Sequence, residues 1–290
     1  MKNSKQILGV TISNVTKSQA LEMAASFLNF PGQHTIFTPN PEMIVKAQKD
    51  AYFKQVLNTG DLNLCDGFGL WLALKFSKEA VSQLSFPPQR ESRQVSTSGF
   101  PIRSGMTVEI DRISGVDFMF EICRIAAEQG RSIYLLGSGF DEVVQKTSAE
   151  LQKRFPNLKI VGCDKGPNID EWRATDYELK LNIEENEVLI HRINALSPDI
   201  IFVAFGMGKQ EKWIHEYLSK LLTVKVAMGV GGSFDFISGK TPRAPLFMRK
   251  LGLEWLYRLI KEPERLGRIW NATAVFTWKI LRQKLYEHSK

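Results

Sequence analysis

The strongest constraint on the fold is the alternation along the chain of short apolar runs with amphipathic segments. Four runs have the composition of buried strands, at residues 132–136, 159–161, 199–205 and 224–228. Amphipathic spacing predicts helices at 18–30, 41–56, 140–155 and 184–196, and a further strand at 34–38. Strands that alternate with helices form parallel βαβ units. The sequence therefore predicts an α/β fold, a doubly wound Rossmann-like sandwich with a mostly parallel sheet.

Polar residues follow two of the expected strands. Thr38 and Asn40 close the strand at 34–38, and Asp66 follows a short apolar run at 62–65. Ligands of such sheets bind at the carboxyl ends of the strands, so these residues are candidates for a site. A carboxylate there can take a proton from a sugar hydroxyl. The alternatives are a helix N-cap for Asn40 and a simple Asp-Gly turn for Asp66.

Two glycine-rich loops follow later strands, at residues 206–211 and 229–235. Backbone N–H groups at the start of a helix favour a diphosphate, and Lys209 and Gln210 are placed to reach its oxygens or the sugar. Glycine also serves βα turns for their geometry alone. Neither loop matches a Walker A motif or a strict GxGxxG, so the sequence supports neither an ATPase nor a Rossmann dehydrogenase.

The positive charge is concentrated near the C-terminus. Residues 240–290 hold twelve Lys and Arg against four Glu, a net +8, so the rest of this +7 chain carries about −1. Such a segment suits an anionic partner: a membrane surface, a nucleic acid or a phosphorylated substrate. Apolar residues interleaved with the charges at 246–259 predict an amphipathic interfacial helix. Packing on the core and burial in a homo-oligomer are the alternatives, and no recognised nucleic-acid-binding motif is present.

These features predict two parts, a catalytic domain at 1–238 and a basic amphipathic helical appendage at 239–290. Residues 77–107 contain seven Ser and three Pro, and predict an insertion loop in the first part. The three cysteines are far apart, with no histidine at ligand spacing, which predicts a reducing compartment and argues against a structural zinc site. We expect no cofactor. Without a signal sequence or an apolar run of about 20 residues, we expect a cytoplasmic protein whose membrane contact is peripheral.

Several motifs occur together in a specific order. They are TPNPE, DGFG, RISGVD at 112–117, GMGKQEKW, GVGGSFDFISGK and LGLEWLYRLIKEPERL. In this the chain resembles the WecG/TagA/CpsF glycosyltransferases from residue 7 to about residue 270. The resemblance implies a metal-independent, inverting enzyme that transfers an N-acetylmannosamine-type sugar from a UDP donor to undecaprenyl-diphosphate-linked N-acetylglucosamine. It also implies work at the cytoplasmic membrane face, in teichoic acid, common antigen or exopolysaccharide synthesis.

The resemblance also assigns residues. It implies that Asp66 is the general base, with Thr38 and Asn40 in the same pocket. Donor or acceptor groups, the nucleotide and the diphosphate would be held by Arg112, Gln210, Gly229, Gly231, Gly232 and the appendage arginines Arg243, Arg249, Arg258, Arg265 and Arg268. Without a metal, the departing UDP requires fixed positive charge and N–H dipoles. Another UDP-hexose or UDP-uronic acid donor, and a nucleotide-sugar-binding protein without turnover, are the alternatives.

Overall fold

The computed structural model describes residues 3–75, 110–167, 169 and 181–288. The predicted insertion at 77–107 and the Arg265 side chain lie outside the described part. The remaining residues form an α/β body followed by a helical C-terminal region. No helix in the described part is both long and apolar enough to cross a membrane.

A six-stranded parallel sheet forms the centre of the body. It is preceded by an antiparallel hairpin, β1 (Ser4–Ile7) and β2 (Val10–Ser13), which the sequence analysis did not predict. The sheet strands are β3 (His34–Phe37), β4 (Leu62–Asn63), β5 (Ser132–Gly137), β6 (Lys159–Asp164), β7 (Ile200–Ala204) and β8 (Val226–Gly229). Their order is β4-β3-β8-β7-β5-β6, and all five pairings are parallel. All six carboxyl ends therefore meet at one edge.

Helices flank this sheet and form the C-terminal region. In the body they are α1 (Lys17–Asn29), α2 (Pro41–Ala47), α3 (Ala51–Asn58), α4 (Phe68–Lys75), α5 (Gly115–Gln129), α6 (Asp141–Arg154), α7 (Ile183–Leu196), α8 (Lys209–Tyr217) and α9 (Ser233–Ile237). In the appendage they are α10 (Leu246–Lys250), α11 (Glu254–Lys261), α12 (Leu266–Trp270) and α13 (Phe276–His288). A π turn, Asn271–Val275, joins α12 to α13, and short 3₁₀ turns occur at Leu218–Lys220 and Pro263–Arg265.

Apolar side chains pack on both faces of the sheet. In β5, Ile133 and Leu135 belong to the core on one face, whereas Tyr134 and Leu136 belong to the core on the other. All four are essentially inaccessible to solvent. Alternate strand residues point to opposite faces, so a strand that is apolar throughout must be covered twice. The predicted doubly wound sandwich is confirmed.

The prediction of one helix at 41–56 was wrong. Two helices occupy this stretch, because the chain turns after Gln48 and Asp50 begins α3 as its N-cap. The Asp50 carboxylate accepts a hydrogen bond from the Phe53 N–H at 2.8 Å. A side chain that caps a new helix favours a break over a continuous helix. Only α2, which starts directly after Asn40, bears on the site.

The single amphipathic helix predicted at 246–259 was also wrong. Its apolar pattern is divided between α10 and α11 by a turn at Gly252, whose φ of +76° lies in the left-handed region. A Cβ at Gly252 would lie 2.8 Å from the Phe68 side chain. Glycine therefore permits both the turn and its close packing on the start of α4.

Candidate active site

A polar cavity, here called the cleft, lies at the carboxyl edge of the sheet. It has a volume of about 500 Å³, and the segment that follows each of the six strands contributes to its wall. Nine residues predicted for the site line it: Thr38, Asn40, Asp66, Lys209, Gln210, Gly231, Gly232, Arg258 and Arg268. Residues far apart in sequence thus converge, as expected of strand ends in a parallel sheet.

Asp66 combines partial burial with access to the cleft. Its backbone N–H donates to the Pro39 carbonyl at 3.0 Å, and the following Gly67 has a φ of +92°, which lets the chain turn into α4. The Gly115 N–H approaches its Oδ2 at 3.4 Å. Burial raises the pKa of Asp66 to about 6, and Glu254 adds to this, whereas the Gly115 N–H, Arg258 and Arg112 oppose it. A carboxylate of this kind is poised as a proton acceptor near neutral pH.

Thr38 and Asn40 lie beside Asp66 but differ in what they can offer. Thr38 is nearly buried, and a Cβ at Gly115 would come within 3.3 Å of its Oγ1 and Cγ2, so glycine allows α5 to begin against it. The Asn40 Oδ1 accepts from the Met43 N–H at 3.0 Å and caps α2. The N-cap interpretation of Asn40 is thus confirmed, and its amide NH₂ is the part that remains for a ligand.

Gln210 connects the two glycine loops. Its Oε1 accepts from the Gly231 N–H at 2.8 Å, and its Nε2 donates to Glu211 Oε1 at 2.8 Å. Glu211 is fully buried and its Oε2 accepts from the Gly208 N–H at 2.7 Å, so a carboxylate already caps the start of α8. A Cβ at Gly229 would lie 2.8 Å from Gln210 Nε2. Gly229, which is absent from the wall of the cleft, therefore makes room for this link.

Cationic side chains give the cleft its positive character. The wall contains Lys165, Lys209, Arg258 and Arg268, against the carboxylates of Asp66 and Asp235. The Lys209 Nζ donates to the Ile169 carbonyl at 2.7 Å, which holds it at the rim. Sequence reasoning missed Lys165, because the predicted strand stopped at residue 161 while β6 continues to Asp164. Extending that strand would have identified Lys165 as a residue at a strand end.

Two appendage arginines reach the cleft. Arg258 lies over the Phe236 ring at 4.3 Å, and its Nε is buried without a hydrogen-bond partner among the described residues. Burial lowers its pKa, while Glu254 and Asp66 raise it. Arg268 makes a two-point bridge to Glu42 on α2, at 2.7 and 3.1 Å. Arg258 thus has a donor to offer, whereas Arg268 already has an anionic partner.

Three other predicted arginines lie outside the cleft wall. Arg243 forms a two-point bridge to Asp117 on α5, at 2.7 and 2.8 Å. Burial alone would raise the pKa of Asp117, but the Arg243 guanidinium holds it below its usual value. The Arg249 Nε donates to the Ala244 carbonyl at 3.0 Å, and the Arg112 Nη2 donates to the Arg249 carbonyl at 2.6 Å. The contacts of Arg243 and Arg112 dock the appendage on the body, whereas that between Arg249 and Ala244 lies within the appendage.

Comparison with known proteins gives one consistent result. Residues 5–87 and 101–290 match the model of the family described as "Glycosyl transferase WecG/TagA/CpsF family". Two relatives, from Staphylococcus aureus strains MW2 and NCTC 8325, are named N-acetylglucosaminyldiphosphoundecaprenol N-acetyl-beta-D-mannosaminyltransferase. Each is 28% identical over 280 residues, which is 96% of this chain and 92% of the relative. The match covers the cleft and the appendage alike.

Proposed function

Since the chain belongs to the WecG/TagA/CpsF family of glycosyltransferases, we propose that it transfers an N-acetylmannosamine-type sugar from a UDP-sugar to undecaprenyl-diphosphate-linked N-acetylglucosamine. The names of the 28% identical relatives support this substrate pair. The observation that carries the proposal is Asp66, a carboxylate with a pKa near 6 in the wall of a cleft whose lysines and arginines outnumber its acids. Such a cleft suits a diphosphate beside a hydroxyl that must lose its proton.

In this mechanism Asp66 takes the proton of the acceptor hydroxyl. The hydroxyl oxygen then forms a bond to the anomeric carbon of the donor while the bond from that carbon to the UDP oxygen breaks, and UDP leaves with the electron pair. A single displacement inverts the configuration at that carbon. Arg258, which lies near Asp66 and lacks a partner for its Nε, is suited to stabilise the departing phosphate.

The donor diphosphate would lie between the loops after β7 and β8. Lys209 and Lys165 flank this part of the cleft, and Gly231 has a φ of +53° with no atom within 4 Å of where a Cβ would be. A ligand can therefore approach the backbone closely there. Gln210 would hold this loop in position rather than bind the nucleotide, because both ends of its amide are already hydrogen-bonded.

We further propose that the appendage binds the cytoplasmic face of an anionic membrane. Trp270 and Trp278 are 63% and 64% exposed, and basic residues surround them in sequence. Interfacial helices combine exposed aromatic and basic side chains in this way, and each basic residue near an anionic leaflet contributes about 1 kcal/mol. This placement would bring the cleft to a lipid-linked acceptor.

The test is UDP release from UDP-N-acetylmannosamine in EDTA, with and without an N-acetylglucosaminyl-diphospho-lipid. We expect acceptor-dependent release, a fall in kcat of about 10² to 10⁴ for Asp66→Asn, and unchanged UDP affinity. Because the base must be ionised, wild-type kcat should fall as the pH drops through about 6. Glu150→Gln, an exposed change on α6, is the control. Near-normal turnover by Asp66→Asn would rule out this role.

A further inference from the structure

A second cavity adjoins the cleft and opens toward the appendage. It has a volume of about 460 Å³ and lies between the start of α4 and the helices α11 to α13. Asp66, Arg258 and Arg268 belong to the walls of both cavities. A molecule in the second cavity can therefore place one end at the proposed base without entering the donor side of the cleft.

The lining of the second cavity is divided by polarity. Its end next to the cleft is charged and is formed by Asp66, Arg258, Arg268, Glu42 and Glu254. Away from that end, the wall is mainly apolar and is formed by Phe68, Trp255, Ile269, Ala272 and Phe276. Phe276 is buried, whereas Phe68 and Trp255 are each 41% exposed and lie toward solvent. This distribution suits a molecule with a polar head and a hydrocarbon tail.

The π turn shapes the apolar wall. Ala272 and Thr273, both within Asn271–Val275, line the cavity, and the Ala272 carbonyl lies 4.0 Å from where a Cβ of Gly69 would be. Two small residues thus face each other across the approach of α4 to the turn. π turns inside α-helices occur often at functional sites, because the extra residue distorts the helix surface locally.

We propose that this cavity binds the first isoprenoid unit of a lipid-linked acceptor, with the attached sugar at Asp66. The proposal rests on the proposed glycosyltransferase function and adds the path of the lipid. The isoprenoid then leaves the cavity between Phe68 and Trp255, toward the exposed apolar side chains of the appendage. The polar end of the cavity meets the sugar and the apolar wall meets the hydrocarbon, so both parts of the acceptor are matched.

The test compares two acceptors, the farnesyl and the methyl esters of N-acetylglucosaminyl diphosphate. We expect the wild-type protein to prefer the farnesyl ester by about tenfold in kcat/KM, since burial of several CH₂ groups favours the longer chain. Ala272→Phe, which fills the cavity, should reduce this preference to about twofold, mainly through KM. It should leave UDP affinity unchanged. Ala274→Phe, in the same turn but outside the cavity wall, should retain the preference.

A second pair of variants keeps the proposal testable if Ala272→Phe does not fold. Phe68→Ala removes part of the mouth and should lower the preference, whereas Phe140→Ala, exposed on the other side of the cleft, should not. Equal use of both esters by the wild-type protein, or an unchanged preference in Ala272→Phe and Phe68→Ala, would overturn the assignment. If neither ester reacts, the proposed function fails. Calorimetry of farnesyl ester binding to the wild-type protein and to Ala272→Phe then tests separately whether the cavity binds the isoprenoid.

Discussion

The α/β body and the C-terminal appendage use their apolar residues in opposite ways. In the body, Ile200 to Val203 of β7 are wholly inaccessible to solvent. Among the described apolar residues after 239, only Ala244 and Phe276 are buried. Ten large apolar side chains of the appendage are exposed: Leu246, Phe247, Leu251, Trp255, Ile260, Leu266, Trp270, Trp278, Leu281 and Leu285. The body is held by its core, whereas the appendage has little core of its own.

Polar contacts hold the appendage in place together with Phe276, Val275 and Ile280, which pack on the core of the body. Arg243 binds Asp117 on α5, Arg268 binds Glu42 on α2, and Arg112 binds the Arg249 carbonyl. Partly exposed pairs of this kind stabilise weakly compared with buried apolar area. The stability of the fold therefore comes mainly from the body, whereas the appendage completes the site. Changes in the appendage should therefore affect the site and membrane contact more than they affect unfolding.

The largest expected effect comes from Arg258, the appendage residue closest in role to the chemistry. Arg258→Ala should lower kcat by about 10², because the departing phosphate loses a fixed charge. It should also raise the pKa of Asp66, since Arg258 lowers that pKa, and so move the acidic limb of the pH profile to higher pH. Steady-state rates across pH measure both. Lys261→Ala, exposed on the same helix, is the control. Equal losses of kcat in the two variants would contradict a specific role for Arg258.

An intermediate effect is expected from Arg243, which docks the appendage without reaching the cleft. Arg243→Ala removes a two-point ionic hydrogen bond to Asp117 and should lower kcat/KM by about tenfold, while the thermal midpoint stays near that of the wild type. Kinetics and calorimetry on the same preparation measure the two quantities. Lys250→Ala, an exposed neighbour, should leave both unchanged. A large fall in the midpoint would mean that the appendage is integral to the core.

The smallest expected effect concerns the exposed aromatic residues. Trp278→Glu should weaken binding to anionic vesicles by about three- to tenfold, because it replaces an aromatic interfacial anchor with a negative charge that the lipid surface repels. Leu222→Glu makes a comparable change at an 80% exposed apolar position of the body and should have no effect. Vesicle sedimentation measures both variants. Equal weakening by the two would show that the whole surface, and not the appendage, contacts lipid.

The sequence predicted the site best where residues directly follow strands, because the pairing of those strands determines which residues lie together. Thr38, Asp66 and Gly231 each follow a strand, and the parallel pairing of those strands brings them together, so their convergence could be predicted. The role of Gln210 could not, because it depends on the Gly231 N–H, twenty-one residues away across a turn. Local pattern identifies strand ends, but it does not show which polar atoms are already satisfied.

The appendage was predicted less well for a related reason. Its basic and apolar residues were recognised, yet the pattern gave no sign that Gly252 divides the predicted helix or that Arg243 faces Asp117. Docking of helices through a few polar contacts depends on partners more than a hundred residues away. Glu254, which raises the pKa of Asp66, was missed for the same reason.

The π turn has a consequence for the orientation of α13. One residue beyond the regular α-helical count rotates everything that follows by about 100° about the helix axis. Phe276, directly after the turn, is buried, while Trp278 faces outward at 64% exposure. Loss of a single residue from Asn271–Val275 would therefore rotate the side chains of α13 by about 100°, so that the Phe276 position would no longer face the core. The length of this turn, more than the composition of the helix, therefore determines which side of α13 presents apolar side chains to solvent.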